Sequence, residues 1–112
     1  MRAGVIGCGR IATLVHLPLL KKISGYEVVA VADVCEGHMK ETMDKFHVEE
    51  GYTDYHALLE KTDVDAVFIC TPPKTHFQIV MDSIQRGKHV LCEKPLTANV
   101  GEGLAIKRTL KR

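Results

Sequence analysis

Apolar and polar positions along the chain fall into two alternating kinds of segment. Arg2 to Ile6 is short and apolar; Gly7-Cys8-Gly9 breaks it, and Ile11, Leu14, Val15 and Leu19 then recur at helical spacing up to Lys22. This pattern predicts a strand, a glycine turn and a helix that Ser24-Gly25 ends. Glu27-Val28-Val29-Ala30-Val31-Ala32-Asp33 is continuously apolar between its terminal acids, as strands buried on both faces are. Met39, Met43 and Phe46 place a helix over Glu36 to Phe46. Gly51-Tyr52-Thr53 then leads to Asp54, an N-cap for a short helix from Tyr55 to Glu60.

The second half repeats the alternation. Asp65 to Cys70 reads as a buried strand, broken by Thr71-Pro72-Pro73, and Phe77, Val80, Met81 and Ile84 form one helical face that stops at Gly87. His89 to Cys92 is one more short strand; Glu93-Lys94-Pro95 ends it, and Asn99 to Arg112 reads as a further helix. Strands alternating with helices imply βαβ units and right-handed crossovers. The expected fold class is therefore α/β, a doubly wound parallel sheet of about five strands in three αβα layers, forming one domain over residues 1–112. The last helix would be a crossover with no strand after it, so a fragment ending in that helix is expected.

Composition narrows the function classes. At 112 residues there is room for one modest core and not for a two-domain enzyme. Fifteen basic groups against 14 acidic leave a net charge of +1, which gives no reason to expect a nucleic-acid or membrane partner. No stretch approaches the roughly 20 apolar residues of a membrane span, and the apolar stretch after Met1 is too brief for a signal sequence. Cys8, Cys35, Cys70 and Cys92 are widely separated, each in or beside an apolar run, with no zinc-type spacing. They read as buried reduced thiols, which points to a cytoplasmic protein. His38, His47 and His56 show no metal-ligand spacing and read as solvated.

Four loops carry candidate chemistry. Gly7-Cys8-Gly9-Arg10-Ile11-Ala12 is G-x-G-x-x-A between a strand and a helix. There Gly7 permits the tight turn, Gly9 lets backbone approach a pyrophosphate, and Ala12 lets helix and strand pack closely. The amides of Arg10 and Ile11 would meet the phosphates at the helix N-terminus. Asp33, about twenty residues further on, ends the second strand, where an acid accepts from the adenosine ribose hydroxyls; a helix N-cap is its structural alternative. Its carboxylate repels a 2′-phosphate, and Val34-Cys35-Glu36 offers no base to receive one, so NAD is expected over NADP, with Val34 beside the cofactor.

Thr71-Pro72-Pro73-Lys74-Thr75-His76 follows the third buried strand, at the sheet edge where ligands sit. Thr71 offers a hydroxyl and Pro72 a rigid wall. His76 stands either at the nicotinamide end or in a structural position. At Glu93-Lys94-Pro95 a lysine near nicotinamide would exchange a proton with the hydroxyl whose carbon loses hydride. His16, in His16-Leu17-Pro18, reads as a packing residue.

Taken with Val29-Ala30-Val31-Ala32-Asp33 and Gly87-Lys88-His89-Val90-Leu91-Cys92-Glu93-Lys94-Pro95, these motifs resemble, over essentially the whole chain, the N-terminal Rossmann-like domain of the Gfo/Idh/MocA oxidoreductases. The resemblance implies oxidation or reduction of sugars, inositols and related hydroxy compounds with NAD or NADP. It implies that Lys94 lies beside nicotinamide and substrate hydroxyl, and that Glu93 helps shape the cofactor site. It also implies a further C-terminal α/β domain supplying most substrate contacts, and a homo-oligomeric full-length protein. Pro73 stands where asparagine is common in the family. A dinucleotide sensor without turnover, as some relatives are, is the alternative from another class.

Overall fold

A computed structural model describes residues 1–9, 12–23 and 25–92. Five strands are described: β1 (Arg2–Ile6), β2 (Glu27–Ala32), β3 (Glu50–Tyr52), β4 (Ala66–Ile69) and β5 (His89–Cys92). They pair in parallel in the order β3-β2-β1-β4-β5. Helices α1 (Leu17–Lys22), α2 (Glu36–Phe46), α3 (Tyr55–Lys61) and α4 (Pro73–Gln85) fill the crossovers.

Side chains alternate across the sheet and build a core on each face. In β1, Val5 packs with Leu17, Leu20 and Met39 of α1 and α2, whereas Ile6 packs with Leu58, Ile79 and Val80 of α3 and α4. In β4, Val67 and Ile69 join the α3 and α4 core while Phe68 faces the other. Two apolar faces on one sheet require two helical covers, and this gives the three layers. Val5, Leu17, Val31, Leu58, Val67 and Ile69 have no exposure left, and each stabilises the fold by roughly 1.5–3 kcal/mol.

Three elements differ from the expectation. The first helix does not begin as an α-helix: Ala12–His16 is a π-helical turn and α1 follows at Leu17. Pro18 explains the change, because it has no N–H for the carbonyl of Leu14 and its ring crowds the preceding turn, which a wider turn relieves.

The second difference is β3, which the sequence pattern does not reveal. Its residues pair with Ala30, Val31 and Ala32 at the sheet edge and are only half-buried, so they show no apolar run. Gly51 is the local requirement there: a Cβ would overlap the sulfurs of Met39 and Met43, the side chains with which α2 lies on the strand.

The third difference concerns the cysteines. Cys8 is buried and Cys70 half-buried, but Cys35 is exposed, because it opens α2 at the rim of the sheet rather than lying within an apolar layer. Asp54 does cap α3, accepting from the His56 backbone N–H at 2.9 Å. The helix expected over Asn99 to Arg112 lies outside the described residues, as do Arg10, Ile11, Glu93 and Lys94. Among the described residues no helix is long and apolar enough to cross a membrane.

Candidate functional site

The chain reverses its winding direction next to β1. From β1 it runs outward through β2 to the edge strand β3, then returns to pair β4 on the other side of β1. In open parallel sheets the loops at such a point diverge and leave a crevice beyond the strand ends. Here the crevice is a cleft of about 590 Å³, reached by Gly7 and Gly9 after β1, Asp33 and Val34 after β2, and Thr71 and Pro72 after β4.

Gly7 forms the turn. Its N–H donates to the Ala32 carbonyl at 2.7 Å, and its φ of +98° is disfavoured for any residue with a side chain. A Cβ there would stand 2.8 Å from the Cys70 carbonyl carbon, so β1 turns directly against the end of β4. Gly9 is different, for a Cβ would meet nothing within 4 Å among the described residues. Packing among the described residues gives no reason for a glycine at that position; a ligand passing close to the backbone would. Ala12 is 1% exposed and packs in one cluster with Val5, Cys8 and Leu17.

Asp33 joins two of the loops. Its Oδ2 accepts from the Cys8 N–H at 2.7 Å and its Oδ1 from the Cys35 N–H at 2.8 Å. The N-cap of α2 is Cys35, so Asp33 is not a helix cap. A carboxylate has about four acceptor positions, and these two bonds leave capacity for a pair of hydroxyls. Val34, beside it, is 92% exposed at the cleft rim. Cys8 packs below the loop with its thiol pushed up to about 11, chiefly by burial; the Asp33 charge adds to this and a Thr42 hydrogen bond opposes it. At neutral pH it is a protonated packing group.

The loop after β4 is fixed from inside. His76 has no exposure and does not line the cleft; its Nε2 lies 2.6 Å from the Thr71 carbonyl. A carbonyl only accepts, so Nε2 carries the proton, and the histidine holds Thr71 and Pro72 in place from beneath. Thr75 Oγ1 lies 2.7 Å from both Thr71 Oγ1 and the Pro72 carbonyl. His16, on the opposite face, packs its ring 6.1 Å from that of Phe68.

Three polar cleft residues lie outside the four candidate loops of the sequence reading: Thr53, Tyr55 and Gln78. Tyr55 opens α3 and donates its hydroxyl to Asp82 of α4; burial, and then this carboxylate, hold its pKa far above the usual phenol value. His56 is not simply solvated: its Nδ1 faces Asp54 at 2.9 Å and its Nε2 faces Asp82 at 3.2 Å. The hydrogen bond to Asp54 is the main cause of its raised pKa. Lys74 and Gln78 do show a sequence signal, since they stand one helical turn apart and share a face of α4. That the cleft runs along this face is a tertiary fact. Among the described residues no group of three His, Cys, Asp or Glu side chains gathers to hold a metal.

A glycine turn closing β1, a carboxylate closing β2 and an open crevice between them define a dinucleotide-binding domain of the doubly wound α/β class. Residues 1–112 match the family model described as "Oxidoreductase family, NAD-binding Rossmann fold", that of the Gfo/Idh/MocA proteins, and the chain belongs to this family. It is 43% identical over 102 residues to a myo-inositol 2-dehydrogenase of Thermotoga maritima, covering 91% of this chain and 30% of that protein. A solved 3-ketoreductase of Actinomadura kijaniata, in complex with NADP and TDP-benzene, superimposes with a TM-score of 0.91 at 36% identity, over 99% of this chain and 34% of that one. An oxidoreductase of Agrobacterium radiobacter, in complex with NAD+, L-tartaric acid and magnesium, gives a TM-score of 0.93 at 25% identity, over 99% of this chain and 32% of that one. The chain therefore spans about a third of the length of these relatives. A nicotinamide dinucleotide is the ligand class of the fold, and the open space at Gly9 and the spare acceptor capacity of Asp33 fit it.

Proposed function

We propose that the protein is an NAD-dependent oxidoreductase that interconverts a hydroxyl and a carbonyl on a sugar, inositol or related compound, and that this chain is its cofactor-holding domain. The observation that carries the proposal is the fixed Asp33 carboxylate at the rim of an open cleft, followed by Val34-Cys35-Glu36 with no base among them. A carboxylate there accepts from both ribose hydroxyls and repels a 2′-phosphate. Lys74, the cation of the described lining, belongs to the α4 wall rather than to the loop after β2. NAD is accordingly favoured over NADP.

The bound dinucleotide supplies the hydride acceptor or donor. Gly9 and the amides of Arg10 and Ile11 hold its phosphates, Asp33 holds the adenosine ribose, and Val34, Thr71 and Pro72 close around it. His76 supports the site through Thr71. Glu93 shapes the nicotinamide end. Lys94 is the catalytic residue of the proposal, its Nζ taking the proton from the substrate hydroxyl in oxidation and returning it in reduction. The substrate is closed in by a further domain, and the full-length protein is a homo-oligomer.

Fluorescence titration tests the cofactor assignment. NADH is expected to bind saturably and more tightly than NADPH, and Asp33→Ala is expected to weaken NADH about tenfold or more, as loss of charge-assisted hydrogen bonds does. Equal binding of both cofactors, or indifference to Asp33→Ala, would overturn it. In the full-length protein, Lys94→Ala is expected to lower turnover by about 10²–10⁴. Unchanged turnover would remove Lys94 from catalysis.

A further inference from the structure

Beyond Asp33 the cleft continues over a floor of Ile6, Ala32 and Ile79, with Tyr55 of α3 and Gln78 of α4 along its sides. A purine is apolar on its faces and polar along its edge, so it fits an apolar floor beside walls that carry polar groups. Gln78 is the amide on that wall, and its orientation is not free. Its Nε2 donates to Asp82 Oδ1 at 3.0 Å. A carboxylate offers only acceptors, so the amide nitrogen must face Asp82 and Oε1 must face the other way.

Asp82 is itself held. Its other oxygen, Oδ2, accepts from the Tyr55 hydroxyl and lies 3.2 Å from His56 Nε2. Tyr55 remains protonated throughout the working range, so this bond persists. The result is an exposed amide on the cleft lining whose nitrogen is engaged by Asp82 and whose Oε1 accepts nothing from the described residues.

We propose that Gln78 reads the base of the dinucleotide, its Oε1 accepting from the 6-amino group of adenine, with Asp82 as the positioning residue that fixes the amide. The proposal rests on dinucleotide binding in the cleft and specifies which edge of the base is recognised. It accounts for an amide held in one orientation beside the apolar floor of the cleft and for the convergence of Tyr55, Gln78 and His56 on Asp82.

The test compares the full chain's affinity for NADH and for the analogue whose purine carries hydrogen in place of the 6-amino group. The wild type is expected to prefer NADH by about threefold to tenfold, the range of one neutral hydrogen bond at a partly exposed site. Gln78→Leu should abolish the preference by weakening NADH alone, because a leucine accepts from neither base. Asp82→Asn, whose side chain both donates and accepts, should reduce the preference while Gln78 is retained, an effect that loosening of the helix alone would not produce. A ratio near one in the wild type, or a preference that survives Gln78→Leu, would overturn the proposal. Failure of the wild type to bind either dinucleotide would overturn the dinucleotide assignment beneath it.

Discussion

Alanine at Gly7 and alanine at Gly9 are the same substitution two residues apart, and the structure assigns them opposite consequences. At Gly7 the backbone has φ +98°, which costs a residue with a Cβ about 1–2 kcal/mol. The new methyl would also stand 2.8 Å from the Cys70 carbonyl carbon, 2.9 Å from its oxygen and 3.1 Å from Thr71 Cγ2. Two of these neighbours are backbone, so relief requires the end of β4 to shift, a further cost of about 1–3 kcal/mol. The sum, about 2–5 kcal/mol, is a large part of the roughly 5–15 kcal/mol that holds a domain together. A fall in Tm on the order of 10–20 °C is expected. Gly9 has no positive φ and no heavy atom of the described residues within 4 Å of an added Cβ, so Gly9→Ala should leave stability within about 0.5 kcal/mol of wild type. In the proposed binding mode its methyl occupies the surface that a pyrophosphate approaches, and NADH affinity should fall at least about tenfold. Urea unfolding followed by circular dichroism, with NADH titration of each variant, separates the two effects. A Gly9→Ala variant that unfolds as readily as Gly7→Ala, or one that keeps its NADH affinity, would refute the reasoning.

Two further outcomes follow from the titratable groups. Both ring nitrogens of His56 face carboxylates, an arrangement only the doubly protonated ring satisfies, and its pKa is raised. The stability it contributes is therefore fully present below about pH 6.5 and lost as pH rises through the higher folded value. At this exposed site the contribution is under about 1 kcal/mol, and the gap in urea midpoint between wild type and His56→Gln should shrink from pH 5.5 to pH 8.5; a constant gap would show that the pair does not titrate as described. Cys35 is exposed whereas Cys8 is buried with its thiol pushed up to about 11. Iodoacetamide at pH 8, read by mass spectrometry, should label Cys35 while Cys8 stays protected until the chain unfolds, and equal labelling in the native state would contradict that burial.

Local pattern carries much of this protein. The apolar runs at Val28–Ala32 and Ala66–Ile69 mark strands buried on both faces, because a residue's period and its flanking breakers are local properties of the chain. The glycine turn and Asp33 are legible for a related reason: a tight turn needs Gly7 whatever surrounds it, and the spacing of a strand, a helix and a second strand fixes how far along the chain the acid must stand.

Tertiary structure decided what depends on partners distant in sequence. Glu50–Tyr52 is a strand only because β2 offers it an edge, and three half-buried residues carry no period of their own. His76 became a buried support because Thr71 curls over it, and Cys35 became a surface thiol because α2 begins at the rim. The wall formed by Tyr55, Gln78 and Asp82 joins residues up to 27 positions apart through single hydrogen bonds. No local pattern encodes such contacts: the helices settle by burying their apolar faces, and which polar side chains then meet at the cleft follows from that packing.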